Sequence, residues 1–243
     1  TYVLEPDDLR SLLRRIVASM AAEAEAAGVR IVTGDTKVVE RGKGDGVFIT
    51  TSGIGVIPDG VDLGAAKIAA GDLVIVNGVF GDPGAAILAA RGDLALSTDL
   101  QSDCAALGHL MQDALAAAPG ITAARDCTRG GLASALNEMA AEAGLSVEID
   151  ETLLPLRDEV KGVCEILGLD PLYLANEGRL VIFCPEAQAE ACLAALRARP
   201  EGAGAVIIGR AKPGEPGRVT MRTPFGGNRI VDMLVGEQLP RIC

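Results

Sequence analysis

The sequence predicts an α+β fold in two domains, on three observations. Apolar runs at helical spacing alternate with short β-branched runs along the chain, which mixes helices and strands within each half. Residues 58–70 change character, carrying Pro58, Gly60 and Gly64, and mark a domain boundary. A length of 243 residues with 49% apolar content suits one large core or two smaller ones and excludes a disordered chain.

The elements follow in order. Asp7 or Asp8 caps a helix whose Leu9, Leu12, Leu13, Ile16, Val17 and Met20 fall at helical spacing, with Gly28 as its stop. Residues 29–39 and 46–57 are β-branched and read as two strands, joined by the polar loop 40–45 as a hairpin or as near neighbours. Beyond the boundary, residues 71–78 (GDLVIVNG) read as a buried strand, then come a glycine-rich loop at 81–84 and an alanine-rich helix. A helix over 102–118 leads to a strand over 121–125. The loop 125–131 (RDCTRGG) opens a helix with Leu132, Leu136 and Met139 on one face and Gly144 at its end. Strands over 146–149, 180–183 and 205–210 alternate with helices over 157–167 and 185–198. No internal repeat has a solenoid period. The division is residues 1–60, 61–228, and a mobile tail over 229–243.

A formal charge of −11 and a pI near 4.6 argue against a nucleic-acid partner, whose backbone needs clustered Lys and Arg. No run of 18 apolar residues and no cleavable signal pattern occurs, which predicts a soluble cytoplasmic protein without a membrane partner. The six cysteines contain no C-x-x-C pair and His109 is the one histidine, so neither a zinc site nor a histidine dyad is expected. The five internal cysteines read as buried small hydrophobes. Thr1 stands ahead of a helix with no initiator methionine, which suggests a fragment or a chain whose front has been removed.

Three polar clusters sit where the backbone changes direction. Gly34, Asp35, Thr36 and Lys37 interrupt an apolar strand, which places Asp35 and Lys37 on one face and Thr36 on the other. A carboxylate and an ammonium together suit a metal-bound polyphosphate, or equally a surface ion pair on an edge strand. In RDCTRGGL, Asp126 follows a strand, Thr128 is placed to cap the next helix, and Gly130 and Gly131 let backbone approach a ligand. An ordinary capped turn reads the same way, and no Walker loop is present. Asn176, Glu177 and Gly178 precede an apolar strand, where Glu177 is a base, a metal ligand or a solvated loop charge. Tyr173 reads as a half-buried packing residue.

The chain stops on Cys243, at the end of GEQLPRIC. Eight extended residues at about 3.3 to 3.6 Å each reach roughly 25 Å, against a radius of gyration near ~18 Å for a compact chain of this size. Such a thiol can be loaded in one place and delivered in another, or can simply end a frayed tail.

Taken together, GDTKVVERGKGDG from Gly34, RDCTRGGL from Arg125, NEGRL from Asn176 and the terminal GEQLPRIC resemble the HypE family of hydrogenase maturation proteins, over essentially the whole chain. That family is part of the ATP-binding superfamily of aminoimidazole ribonucleotide synthetase, selenophosphate synthetase and thiamine monophosphate kinase. The resemblance implies a two-domain AIR synthetase-like (PurM-like) architecture, with the first domain incomplete and about 90 to 100 residues of family length missing ahead of Thr1. It implies homodimers that pair first domains, whose strands over 29–57 would otherwise keep open edges. It implies ATP-dependent dehydration of a carbamoyl group on Cys243 to a thiocyanate. The carbamoyl group is supplied by the carbamoyltransferase HypF, and the cyanide goes to iron on the HypC–HypD scaffold for a [NiFe] hydrogenase.

By match to the family, Glu177 is the base, Lys37 neutralises charge on oxygen or phosphate, and Cys243 is the covalent carrier. Asp35, Thr36, Lys37, Asp126 and Asn176 form the implied ATP-binding set, with Asp35 and Asp126 holding Mg²⁺. Pro83 stands where the family usually has histidine in a GDHG stretch, so no role of that histidine carries over. Competing readings are a non-catalytic carrier or docking protein, and a sibling kinase or synthetase acting on a free small substrate.

Overall fold

A computed structural model describes residues 6–40, 42, 43, 46–90 and 102–234. It divides into two units, Thr1–Gly60 and Val61–Cys243.

The first unit carries helix α1, Pro6–Ala26. Leu12, Ile16 and Met20 form its half-buried stripe, while Leu13 and Val17 are exposed. The two strands expected over 29–39 and 46–57 are not formed among the described residues, which run without ladder partners. β-Branched residues make a surface that suits a sheet, but a ladder also requires a neighbouring edge to pair every second N–H and C=O. Among the described residues no such edge meets them: Val32 is 85% and Phe48 81% exposed, and within the loop between the segments Lys43 N–H donates to Glu40 O at 3.0 Å.

The second unit is built on a seven-stranded sheet in the order β2-β4-β1-β5-β3-β6-β7. Its strands are β1 (Leu73–Val76), β2 (Ala123–Asp126), β3 (Ser146–Asp150), β4 (Leu180–Cys184), β5 (Val206–Lys212), β6 (Val219–Arg222) and β7 (Asn228–Ile230). All neighbours are antiparallel except β3 and β6. The helices are α2 (Asp82–Ala90), α3 (Gly108–Ala117), α4 (Gly131–Ala143), α5 (Asp158–Leu167) and α6 (Glu186–Arg197). Strand β1 explains the layering. All four of its residues are buried, as an unbroken apolar run requires, and alternate residues face opposite sides. Val74 and Val76 join Leu132, Leu136 and Met139 of α4, whereas Leu73 and Ile75 join Leu110 of α3 and Leu193 and Leu196 of α6. Among the described residues no helix is long and apolar enough to cross a membrane.

Three expectations need correction. The helix expected from residue 102 begins at Gly108, because residues 102–107 are drawn out of helical form to pack on Gly178. The tail expected from 229 is anchored further on: Asn228–Ile230 pairs with β6, and Val231 is fully buried. Cys104 is exposed, while Cys127, Cys164, Cys184 and Cys192 are buried.

Gly131 shows why the RDCTRGGL turn needs glycine. Its φ is +63°, and an added Cβ would run into the carbonyl oxygens of Leu172 and Leu174. The close approach inferred for a ligand is made by the protein's own 171–174 turn. Gly131→Ala is expected to lower the unfolding free energy by about 2 kcal/mol or more, from the left-handed backbone and the displaced turn together. Urea denaturation of the two proteins checks it.

Candidate active site

Two of the three polar clusters meet because β2 and β4 are antiparallel neighbours. Asp126, the last residue of β2, lies opposite Leu180, the first of β4. The pairing continues outward: Cys127 N–H donates to Arg179 O at 3.0 Å and Asn176 N–H to Cys127 O at 3.1 Å. The NEG turn is thereby laid beside the RDCTRGG turn.

Glu177 stands on a backbone fixed from several sides. Asn176 is fully buried; its Oδ1 accepts from Gly81 N–H at 2.8 Å and its Nδ2 donates to Leu174 O at 2.8 Å. Those bonds tie together loops on either side of Glu177, so the amide expected to meet a nucleotide is engaged with protein. The Glu177 N–H donates to Asp103 Oδ1 at 2.9 Å. Gly178 O accepts from Asn77 Nδ2 at 3.1 Å and Arg179 Nη1 at 2.8 Å, and Leu180 N–H donates to Asn77 Oδ1 at 2.7 Å. The side chain differs from this backbone. Among the described residues nothing hydrogen-bonds or ion-pairs its carboxylate, which is half-buried. Its pKa is raised, first by burial and then by the charges of Asp103 and Asp126. A carboxylate made more basic and held in place with no partner among the described residues is suited to accept a proton.

Asp126 is exposed and accepts from the Thr128 hydroxyl. Thr128 therefore serves this carboxylate, and α4 starts from Gly130 with no side-chain cap. Arg125 pairs with Glu138. Cys127 is no nucleophile candidate: burial, with Asp126 adding to it, pushes its thiol pKa far up.

Asp35, Thr36 and Lys37 belong to the first unit, all exposed, with Thr36 N–H donating to Asp35 Oδ1 at 2.8 Å. Since no strand forms there, the shared face expected for Asp35 and Lys37 is not set by a sheet. Cys243 lies outside the described residues.

The described chain leading to the tail, however, is fastened to α4 and to the 171–174 turn that runs on into Glu177. Val231 O accepts from Asn137 Nδ2 at 2.9 Å, and Tyr173 Oη donates to Asp232 O at 2.8 Å. Leu234 lies against Gly130 at the start of α4. Tyr173 is thus a packing residue that also holds the root of the tail. Asn77, Asp103, Asn137 and Arg179 carry no local sequence signal; each acts through a partner 74 to 103 residues away, which no local pattern reports.

Among the described residues no group of three or more His, Cys, Asp or Glu could hold a metal ion unaided. Asp126, with one carboxylate oxygen left clear of Thr128, fits a different arrangement. Mg²⁺ that arrives on a polyphosphate needs only one or two protein carboxylates beside phosphate oxygens and water.

Residues 69–222 match the family model of the AIR synthase related protein, C-terminal domain, and residues 1–57 match that of its N-terminal domain. The chain is 72% identical over 242 residues to the carbamoyl dehydratase HypE of Rhodobacter capsulatus, an alignment covering all of this chain and 71% of that relative. A HypE crystal structure in complex with ATP superposes with a TM-score of 0.85 at 41% identity, covering 96% of this chain and 71% of that one. A HypE–HypF complex superposes at 0.87 with 40% identity, covering 95% and 74%. The chain belongs to the AIR synthase related family and, within it, to the HypE carbamoyl dehydratases.

Proposed function

We propose that this chain dehydrates a carbamoyl group carried on its own Cys243 to a thiocyanate at the expense of ATP, as a step in making the cyanide ligand of a [NiFe] hydrogenase. One observation carries the reading: the half-buried Glu177 carboxylate, made more basic by its surroundings, has no partner among the described residues, and the root of the tail is fastened by Asn137 and by Tyr173, which stands just ahead of Glu177 in the chain. The family membership and the ATP-bound relative support it.

The chemistry assigns each residue a task. The starting group is Cys243 S–C(=O)–NH₂, whose oxygen is a poor leaving group. Attack of that oxygen on the γ-phosphorus of ATP forms an O–P bond and releases ADP, while one N–H proton is lost to leave an imidate. Removal of the second N–H proton then forms the C≡N bond as the C–O bond breaks and phosphate departs. Glu177 is the base for these protons. Lys37 neutralises the charge gathering on the carbonyl oxygen and the transferring phosphoryl group. Asp126, and Asp35 by match to the family, would hold Mg²⁺ arriving with ATP, and the ion would offset polyphosphate charge. Thr36 belongs to the same binding set, and Asn176 shapes it from behind through the loop bonds described above.

HypF, with which a relative forms a complex, supplies the carbamoyl group in this reading, and an iron-bearing HypC–HypD scaffold receives the cyanide. Homodimer formation through residues 29–57 accompanies it, supported by the uncovered Val32 and Phe48. The reading places the chain with those partners in the cytoplasm. The expected result is ATP hydrolysis that occurs only after the chain has been carbamoylated, at one ADP per modified tail. ATP turnover unaffected by carbamoylation, or none with an active carbamoyltransferase, overturns the proposal.

A further inference from the structure

Glu177 owes its placement to a segment that the reaction itself does not involve. Residues 102–107 leave helical form and lie across the Glu177–Arg179 turn. Asp103 makes the contact on several atoms at once. Its Oδ1 accepts the Glu177 N–H at 2.9 Å. Its main-chain oxygen sits so near Gly178 that any Cβ there would collide with it, and Ala105 closes on the same glycine. Its Oδ2 is buried without a hydrogen bond and faces Arg179 Nε at 3.6 Å, with only 2% of the Asp103 side chain exposed. Arg179 in turn holds Val79 O and Gly178 O at 2.5 and 2.8 Å.

A carboxylate this buried is costly unless its geometry is used. The Asp103–Arg179 pair grips one peptide turn from both ends: Asp103 takes the Glu177 N–H, and Arg179 takes the Gly178 carbonyl. We propose that Asp103 is a positioning residue for Glu177, acting through its hydrogen bond to the Glu177 amide and its seat on Gly178. This rests on the reading of Glu177 as the base. It adds that the 102–107 segment is part of what makes the site competent.

The role separates from a merely structural one by choice of substitution. Asparagine keeps an oxygen for the Glu177 amide, while alanine keeps none. With the carbamoylated chain, Asp103→Ala is expected to lower kcat about 10- to 100-fold, the scale of one lost charge-assisted hydrogen bond, with the KM for ATP unchanged. Asp103→Asn should recover most of that loss. Gly178→Ala, which leaves Asp103 intact but forces the segment away, should reproduce the Ala variant.

Amide hydrogen exchange at Glu177, read by NMR on the same proteins, tests the link without turnover. Exchange should be slow in the parent chain and in Asp103→Asn, and faster by tenfold or more in Asp103→Ala. Equal Glu177 exchange in the parent and Asp103→Ala, or equal kcat loss in the Asn and Ala variants, overturns the positioning role. Normal turnover in Glu177→Gln overturns the base assignment instead, and the exchange result stands apart from it.

Discussion

Replacing Glu177 by glutamine is expected to stop the chain at its carbamoylated stage. Glutamine preserves the shape of the side chain and leaves the main-chain bonds to Asp103, Asn77 and Arg179 in place. It removes only the group able to take a proton. Loss of a positioned general base costs typically about 10² to 10⁴ in rate, so carbamoyl-Cys243 should accumulate while its formation proceeds normally. Mass measurement over time checks this, and normal conversion would remove Glu177 from the base role. Stability provides a second readout with a defined sign. Burial, then Asp103 and Asp126, raise the Glu177 pKa above its ordinary value of 4.5, so folding favours the protonated form. Its stabilising contribution is full below that ordinary value and is lost as pH rises through the raised native one. Glutamine is neutral throughout. Glu177→Gln should therefore melt higher than the parent at pH 7, with the gap closing as pH falls below 4.5.

Replacing Cys243 by alanine is expected to abolish the modification altogether, since the proposed reaction carries its substrate on that sulfur. The four buried thiols, Cys127, Cys164, Cys184 and Cys192, are in no position to substitute, and Cys104 is the single exposed one among the described residues. Residues 235–243 at about 3.3 to 3.6 Å each span at most roughly 30 Å. The chain ahead of them is anchored at Val231 and Asp232 by Asn137 and Tyr173, so that length bounds the distance over which the sulfur must visit Glu177 and leave it. Shortening the tail by four residues ahead of PRIC should therefore spare dehydration and impair delivery to a partner. A sibling kinase acting on a free substrate would tolerate Cys243→Ala, and the variant discriminates the two readings directly.

How much of this was legible depended on the range of the interaction. The all-apolar LVIV of β1 announced a central buried strand, and Gly144 announced the end of α4, because each follows from local periodicity or backbone freedom. The second and third polar clusters were visible as exceptions to the apolar pattern, and strand pairing brought Asp126 and Glu177 together. The residues 29–57 misled for the opposite reason: β-branched patterning was present while the neighbouring edge was not. Thr128 looked like a helix cap by position, yet Asp126 claimed its hydroxyl. Asn77, Asp103 and Arg179 carried no signal at all. Their importance lies in bonds across 74 to 103 residues of sequence, which appear only once the sheet has assembled.

The central claim, that the chain modifies its own tail, is tested most directly by weighing peptide 238–243 (QLPRIC) released by cleavage after Glu237. After incubation with the carbamoyltransferase, carbamoyl phosphate and ATP, the peptide should be about 25 Da heavier, the gain when cyanide replaces the thiol hydrogen. Without ATP hydrolysis it should stop at about 43 Da, the carbamoyl adduct. An unmodified peptide in the presence of active partner enzyme, or a 25 Da gain on any other residue, would contradict the account.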